Sequence, residues 1–213
     1  MSYKAYLFDF DYTLVNSEKG ITGCFSHTLA ELGYKAAAYD TIRNTIGLPM
    51  ETAVAKLIGT AEKQAVAEFI THYRRYADKY MTPNTFFYPE TLPLLQKLKE
   101  RGAKLAIISS KTEFRIREKL QADKVEDLFS LVIGCEAVQE MKPSPEGILQ
   151  ALAVLQLAKQ DILYTGDNIV DAQAAEAAGV DFAAVTTGTT PASVFASLPH
   201  KAVLANLAGV AEL

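Results

Sequence analysis

The chain contains no uninterrupted run of apolar residues long enough to span a bilayer, which takes about 20, so no membrane span is expected. It has no excess of basic residues. Its 21 Lys and Arg stand against 25 Asp and Glu, a net charge of −4, which argues against a nucleic-acid or anionic-membrane surface. It has only two cysteines, Cys24 and Cys135, at no metal-ligand spacing. They read as free thiols of a reducing compartment. No internal repeat and no low-complexity linker is present. The first apolar run starts at Tyr3, which leaves no room for a leader ahead of it, and a cytoplasmic location is expected. What remains is 213 residues, 49% of them apolar. That suits one large domain, or one domain with a modest insertion.

Residues 3–8, YKAYLF, are a short apolar strand. From residue 17 to about 82 the pattern is helical. In EKQAVAEFITHYRRYADKY, Val66, Phe69, Ile70, Tyr73, Ala77 and Tyr80 recur at helical spacing. From residue 90 helix and strand alternate. TLPLLQKLKERG, TEFRIREKL, SPEGILQALAVLQ and DAQAAEAAG read as helices. KLAIIS, LFSLVIG, DILYTG and DFAAVTTG contain the strands. Ser144 is the expected N-cap of the third of these helices, with Pro145 at its first position. Such alternation predicts an α/β fold, a Rossmann-like parallel sheet covered on both faces. The helical block then becomes an inserted all-helical cap. The expected division is 1–15 with 83–213 as the core and 16–82 as the cap.

Ligands of such sheets bind beyond the carboxyl ends of the strands. Asp9, Asp11 and Thr13 follow the first strand, in AYLFDFDYTLVNS. Ser109 and Ser110 follow KLAII, Lys142 lies in EMKPSP, and Asp167, Asn168 and Asp171 follow ILYTG. Alternate residues of an extended chain face the same way, so Asp9 and Asp11 can share one cleft. Two like charges at 4 Å repel by about 4 kcal/mol at an effective dielectric near 20. One lysine does not balance four carboxylates, and a divalent cation would. Hard oxygen ligands describe Mg²⁺, and Lys142 with the Ser109 hydroxyl suits phosphate oxygens.

DFDYT, the hydroxyl of AIISS, the lysine of MKPSP and GDNIVD, in that order, resemble the haloacid dehalogenase superfamily of phosphotransferases. The pattern is most similar to its phosphoglycolate-phosphatase-like branch, with a helical cap between the first two motifs. The resemblance implies a phosphatase acting on a small phosphorylated metabolite, with phosphoglycolate as one such substrate. Related activities are a pyrophosphatase, a nucleotidase or a β-phosphoglucomutase-like mutase. It implies Asp9 as nucleophile and Asp11 as general acid and base. Ser109 and Lys142 would hold the phosphoryl group. Mg²⁺ would lie on Asp9, the Asp11 carbonyl and Asp167. Asp171 would be either a ligand or the residue that orients Lys142. Ser110, Thr13 and Arg43 of the helical block are further candidates for substrate contact. No nucleic acid or membrane partner is expected, and the chain would be a monomer or a small homo-oligomer. Two positions depart from the family pattern: Tyr12 stands where many members have Gly, and Asn16 where many have Asp. TTGTT at 186–190 reads as a turn-rich loop.

Overall fold

The structure is a computed structural model that describes residues 3–213. The chain forms strands β1 (Ala5–Phe8), β2 (Val15–Asn16), β3 (Phe86–Phe87), β4 (Lys104–Ile108), β5 (Leu131–Ile133), β6 (Ile162–Gly166), β7 (Asp181–Val185) and β8 (Ala202–Leu204). The helices are α1 (Glu18–Glu31), α2 (Tyr39–Arg43), α3 (Met50–Ile58), α4 (Lys63–Tyr80), α5 (Thr91–Glu100), α6 (Glu113–Ala122), α7 (Glu146–Leu155), α8 (Ile169–Ala178) and α9 (Ala192–Phe195). They divide into two compact units. One holds the residues up to Val15 together with Phe87–Leu213, and the other holds Asn16–Phe86.

The first unit is α/β, as the alternating pattern predicts. Its six-stranded sheet has the order β5-β4-β1-β6-β7-β8, and its neighbours are parallel. The period of two in β1 divides the core. Tyr6 and Phe8 join Leu94, Leu95 and Leu98 of α5 on one face. Ala5 and Leu7 join Ile148 and Leu152 of α7 and Ala172 and Ala175 of α8 on the other. A strand buried on both faces must be apolar throughout, which is why β1 and β6 read as continuous runs. The chain passes from β1 to β4 on one side and returns to β6 on the other, so β1 is the switch point where a crevice opens at the carboxyl ends.

The second unit is helical. Val66, Phe69, Ile70, Tyr73 and Ala77 of α4 are buried, the stripe that the spacing predicts. Phe25 of α1 lies against Tyr73 and Phe69, with ring centroids 4.7 and 6.1 Å apart. At Gly23 a Cβ would come within 2.4 Å of the Tyr80 ring.

Two local expectations shift. Helix α7 begins at Glu146 with Pro145 at the cap position, so Ser144 lies outside the helix. The Ser144 hydroxyl still accepts the Glu146 N–H, at 3.3 Å. Helix α8 starts two residues earlier than DAQAAEAAG suggests. Asn168 caps it by accepting from Val170 N–H, and Asp171 returns a bond to Asn168 N–H, a capping box. The three-residue β8 is too short for its pattern to stand out in the sequence.

Candidate active site

Asp9 continues the line of β1, its N–H donating to the Thr165 carbonyl at 2.9 Å. The main chain then folds back. The Phe10 carbonyl accepts from Leu14 and Val15 N–H at 3.0 and 3.1 Å, and Tyr12 N–H donates to the Val15 carbonyl at 2.8 Å. Tyr12 closes this turn with φ 62°, in the left-handed region that bulky residues seldom adopt. Glycine enters it without steric cost, which explains the family preference at this position. Here the Tyr12 ring is buried, and the Thr187 hydroxyl donates to its carbonyl.

Beyond the strand ends, Lys142 Nζ is the hub of a buried network. Its three N–H groups lie within reach of four acceptors: Asp171 Oδ1 at 2.6 Å, Asp9 Oδ1 at 2.7 Å, Tyr164 Oη at 3.1 Å and the Ile108 carbonyl at 3.3 Å. Tyr164 Oη in turn donates to Asp171 Oδ1 at 2.9 Å. The other Asp171 oxygen accepts Asn168 N–H at 3.0 Å. Both Asp171 oxygens are thus engaged in holding Lys142 and the start of α8. Asp9, Asp167 and Asp171 each bring a carboxylate oxygen to within 4.8 Å of the others. Thr13, expected at the substrate, is instead fully buried, and its hydroxyl donates to Asp167 Oδ1 at 3.2 Å. Its reach is spent on that carboxylate.

The electrostatics follow from burial. Removal from water raises the Asp9 carboxyl to about 6, against the pull of Lys142 and with repulsion from Asp171 and Asp11. Burial and the charges of Asp171 and Asp9 also raise Asp167 well above the ordinary carboxylate range. Burial would lower Lys142, but Asp171 and Asp9 hold its pKa well above that of a free lysine. Such a cluster favours a cation among its oxygens.

Ser109 is buried at the end of β4. Its N–H donates to the Ile133 carbonyl at 3.0 Å, and its hydroxyl accepts Lys111 N–H at 3.3 Å. Ser110 next to it is half-buried. Arg43 lies on α2 of the helical unit, where its Nε pairs with Glu18 Oε2 at 3.0 Å. Asp11 stands apart from the trio of carboxylates: Lys111 Nζ clasps its two oxygens at 2.9 and 3.0 Å.

Three features escape sequence reasoning. Tyr164 looks like an interior strand residue. Lys111 follows two serines and looks solvated. Gly188, within TTGTT, lies so close to Asp167 that a Cβ would come 1.8 Å from Oδ2. The second lysine also corrects the expected charge balance. With all four carboxyl groups ionised, two ammonium groups leave two negative charges, the charge of one divalent cation.

The sequence model of the family described as haloacid dehalogenase-like hydrolase matches residues 6–185. A phosphoglycolate phosphatase of Aquifex aeolicus is 32% identical over 183 residues, covering 85% of this chain and 84% of the relative. The pyrophosphatase PpaX of Bacillus thuringiensis is 28% identical over 186 residues, covering 87% and 84%. A solved structure from Bacteroides fragilis, described as a haloacid dehalogenase-like hydrolase, superposes with a TM-score of 0.94 at 41% identity, covering 98% of this chain and 100% of that one.

Proposed function

The chain belongs to the haloacid dehalogenase-like hydrolases, and on that premise we propose that it is a Mg²⁺-dependent phosphatase that hydrolyses a small phosphorylated metabolite through an aspartyl-phosphate at Asp9. The observation that carries this reading is the Asp9 carboxylate itself. It lies at the switch point of the sheet, beside two further buried carboxylates, with the Lys142 ammonium 2.7 Å away.

The donor set fits Mg²⁺: hard oxygens, clustered and buried, with two uncompensated charges. Asp9, Asp167 and the main-chain carbonyl of Asp11 would hold it, and it would supply positive charge to offset the approach of one anion to another. In the first step an Asp9 oxygen attacks phosphorus and the bond to the leaving oxygen breaks. That bond's electron pair goes to the leaving oxygen, which takes a proton from Asp11. In the second step water attacks the acyl phosphate and gives Asp11 its proton. Inorganic phosphate leaves and the Asp9 carboxylate is restored. Lys142 and the Ser109 hydroxyl bind the transferring group. A carboxylate meeting a dianion faces about 8 kcal/mol of repulsion, twice the unit figure, close to six powers of ten in rate. Positive charge at the site removes it. Asp171 and Tyr164 keep Lys142 in place.

Phosphoglycolate and pyrophosphate are the substrates that the relatives suggest. Hydrolysis rather than phosphoryl return to a sugar is the expected outcome, since SEKGITG carries no histidine that could gate water. A panel of phosphorylated metabolites, assayed for free phosphate with and without Mg²⁺, tests the reading. Release that needs Mg²⁺ is expected. Full activity in excess chelator, or no hydrolysis of any phosphoester, overturns it.

A further inference from the structure

The two lysines of the site are committed differently. Lys142 Nζ lies near four acceptors, so its contact with the transferring group displaces one of the weaker of them, and it has none left for the leaving group. Lys111 spends two of its three donors on one carboxylate. Its main chain is pinned. Its N–H donates to Ser109 Oγ at 3.3 Å, and its carbonyl accepts Cys135 N–H at 3.1 Å. Only the side chain is left to swing.

Asp11 is the group that hands a proton to the leaving oxygen, so an ammonium 2.9 Å from its carboxylate marks the leaving-group side. A leaving group with its own negative charge would be repelled by Asp11 if that were the only charge there. Lys111 cancels that charge and offers its third N–H besides. We propose that Lys111 is the specificity-determining residue of this site, and that it selects substrates whose leaving group bears a second anion, a carboxylate or a phosphate, close to the scissile oxygen. This rests on the phosphatase reading above. Such an anion takes up the spare donor of Lys111 and draws the ammonium across. One Asp11 oxygen is then released to face the leaving oxygen. A neutral leaving group makes no such contact and leaves both Asp11 oxygens clasped. Substrate charge thereby assembles the acid, a form of induced fit.

The test compares wild type, Lys111→Met and Lys111→Arg on three probes with Mg²⁺: phosphoglycolate, pyrophosphate, and 2-hydroxyethyl phosphate as the uncharged counterpart of phosphoglycolate. The quantity read is the ratio of kcat/KM on each anionic probe to that on the neutral one. It is taken within each variant, so damage to the fold common to all probes divides out. Loss of a charged hydrogen bond in Lys111→Met should lower the ratio by about 10- to 100-fold, and Lys111→Arg should restore part of it. A drop for phosphoglycolate alone assigns the second anion as a carboxylate, and a drop for pyrophosphate alone as a phosphate. A ratio that Lys111→Met leaves unchanged, with the probes still hydrolysed, overturns the role of Lys111 and leaves the phosphatase reading standing. A wild type that turns over none of the three but hydrolyses another phosphoester overturns the role of Lys111 alone, and one that hydrolyses no phosphoester overturns both.

Discussion

The two units treat polar groups in opposite ways. In the helical unit no charged residue is buried, and its buried threonines are satisfied at once by their neighbours. Thr22, Thr28, Thr45 and Thr85 each donate to a main-chain carbonyl three or four residues earlier. In the α/β unit, Asp9, Lys119, Asp167 and Asp171 are buried. The bonds that satisfy its site reach far along the chain, from Lys142 to Asp9 and from Thr13 to Asp167. Local bonds of the first kind serve helix formation and cost little. Buried charges of the second kind cost several kcal/mol each unless paired. A fold keeps such a cluster where chemistry needs it. The lesson is that one unit spends its interior on packing and the other spends part of it on a site.

The largest effect that sharpens this contrast is on rate. Asp9→Asn should reduce phosphate release by at least about 10⁴-fold, the order seen when a nucleophile is lost. Its melting temperature should not fall, because a carboxylate that burial disfavours has been removed. Residual turnover above a trace would remove Asp9 from the nucleophile's role.

A packing change in the helical unit should do the reverse. Phe69→Ala empties a fully buried site between Phe25 and Tyr34 and should cost about 3–5 kcal/mol of unfolding free energy. Denaturant titration measures it. A loss under 1 kcal/mol would mean that the aromatic core of this unit does not support it.

The third effect is on pH. The raised Asp9 carboxyl takes up its proton in the fold at about 6 and in the unfolded chain near 3.8. The folded form therefore binds more protons in that window, and stability is lost as pH rises through it. In chelator the melting temperature should climb as pH falls from 7 towards 5. The contribution is on the order of 1–3 kcal/mol. Mg²⁺ should flatten the climb, since it binds the deprotonated oxygens. A melting curve in chelator that falls over this range would contradict the buried cluster.

Smaller still, Tyr164→Phe removes one hydroxyl from Lys142 and Asp171. It should cost about 1–2 kcal/mol, read as a lower kcat with little change in KM, because a tilted Lys142 matters most in the transition state. At the far end of the scale, Arg75→Ala deletes an exposed pair with Glu31 in the helical unit, and the melting temperature should stay within error.

Much of the site was legible because its residues follow strands directly. Asp9, Asp11, Ser109 and Asp167 sit at or just beyond β1, β4 and β6, and a strand announces itself by its own apolar run. The division into a helical and an α/β stretch was legible for the same reason, since periodicity is a local property. Lys111 and Tyr164 were not. A lysine after two serines has the composition of a solvated turn, and a tyrosine inside ILYTG has that of a core strand. Nothing within a few residues of either says that an aspartate 100 positions away, or one across a helix start, is its partner. Thr13 misled for a related reason: its place beside Asp11 suggests the substrate, while its hydroxyl is turned to Asp167.

The sequence by itself determined most of the elements and their periods, the order of the strand-end residues and the types of group that would meet there. Those follow from side-chain chemistry and local backbone geometry, which each short stretch carries in itself. The tertiary structure alone decided how the charges are shared: Lys142 given to Asp9 and Asp171, Lys111 to Asp11, Thr13 to Asp167, and Gly188 left without a side chain so that Asp167 has room. Such pairings depend on which strands become neighbours in a sheet ordered β5-β4-β1-β6-β7-β8, and charge energies fall off with distance in space, whatever the separation along the chain.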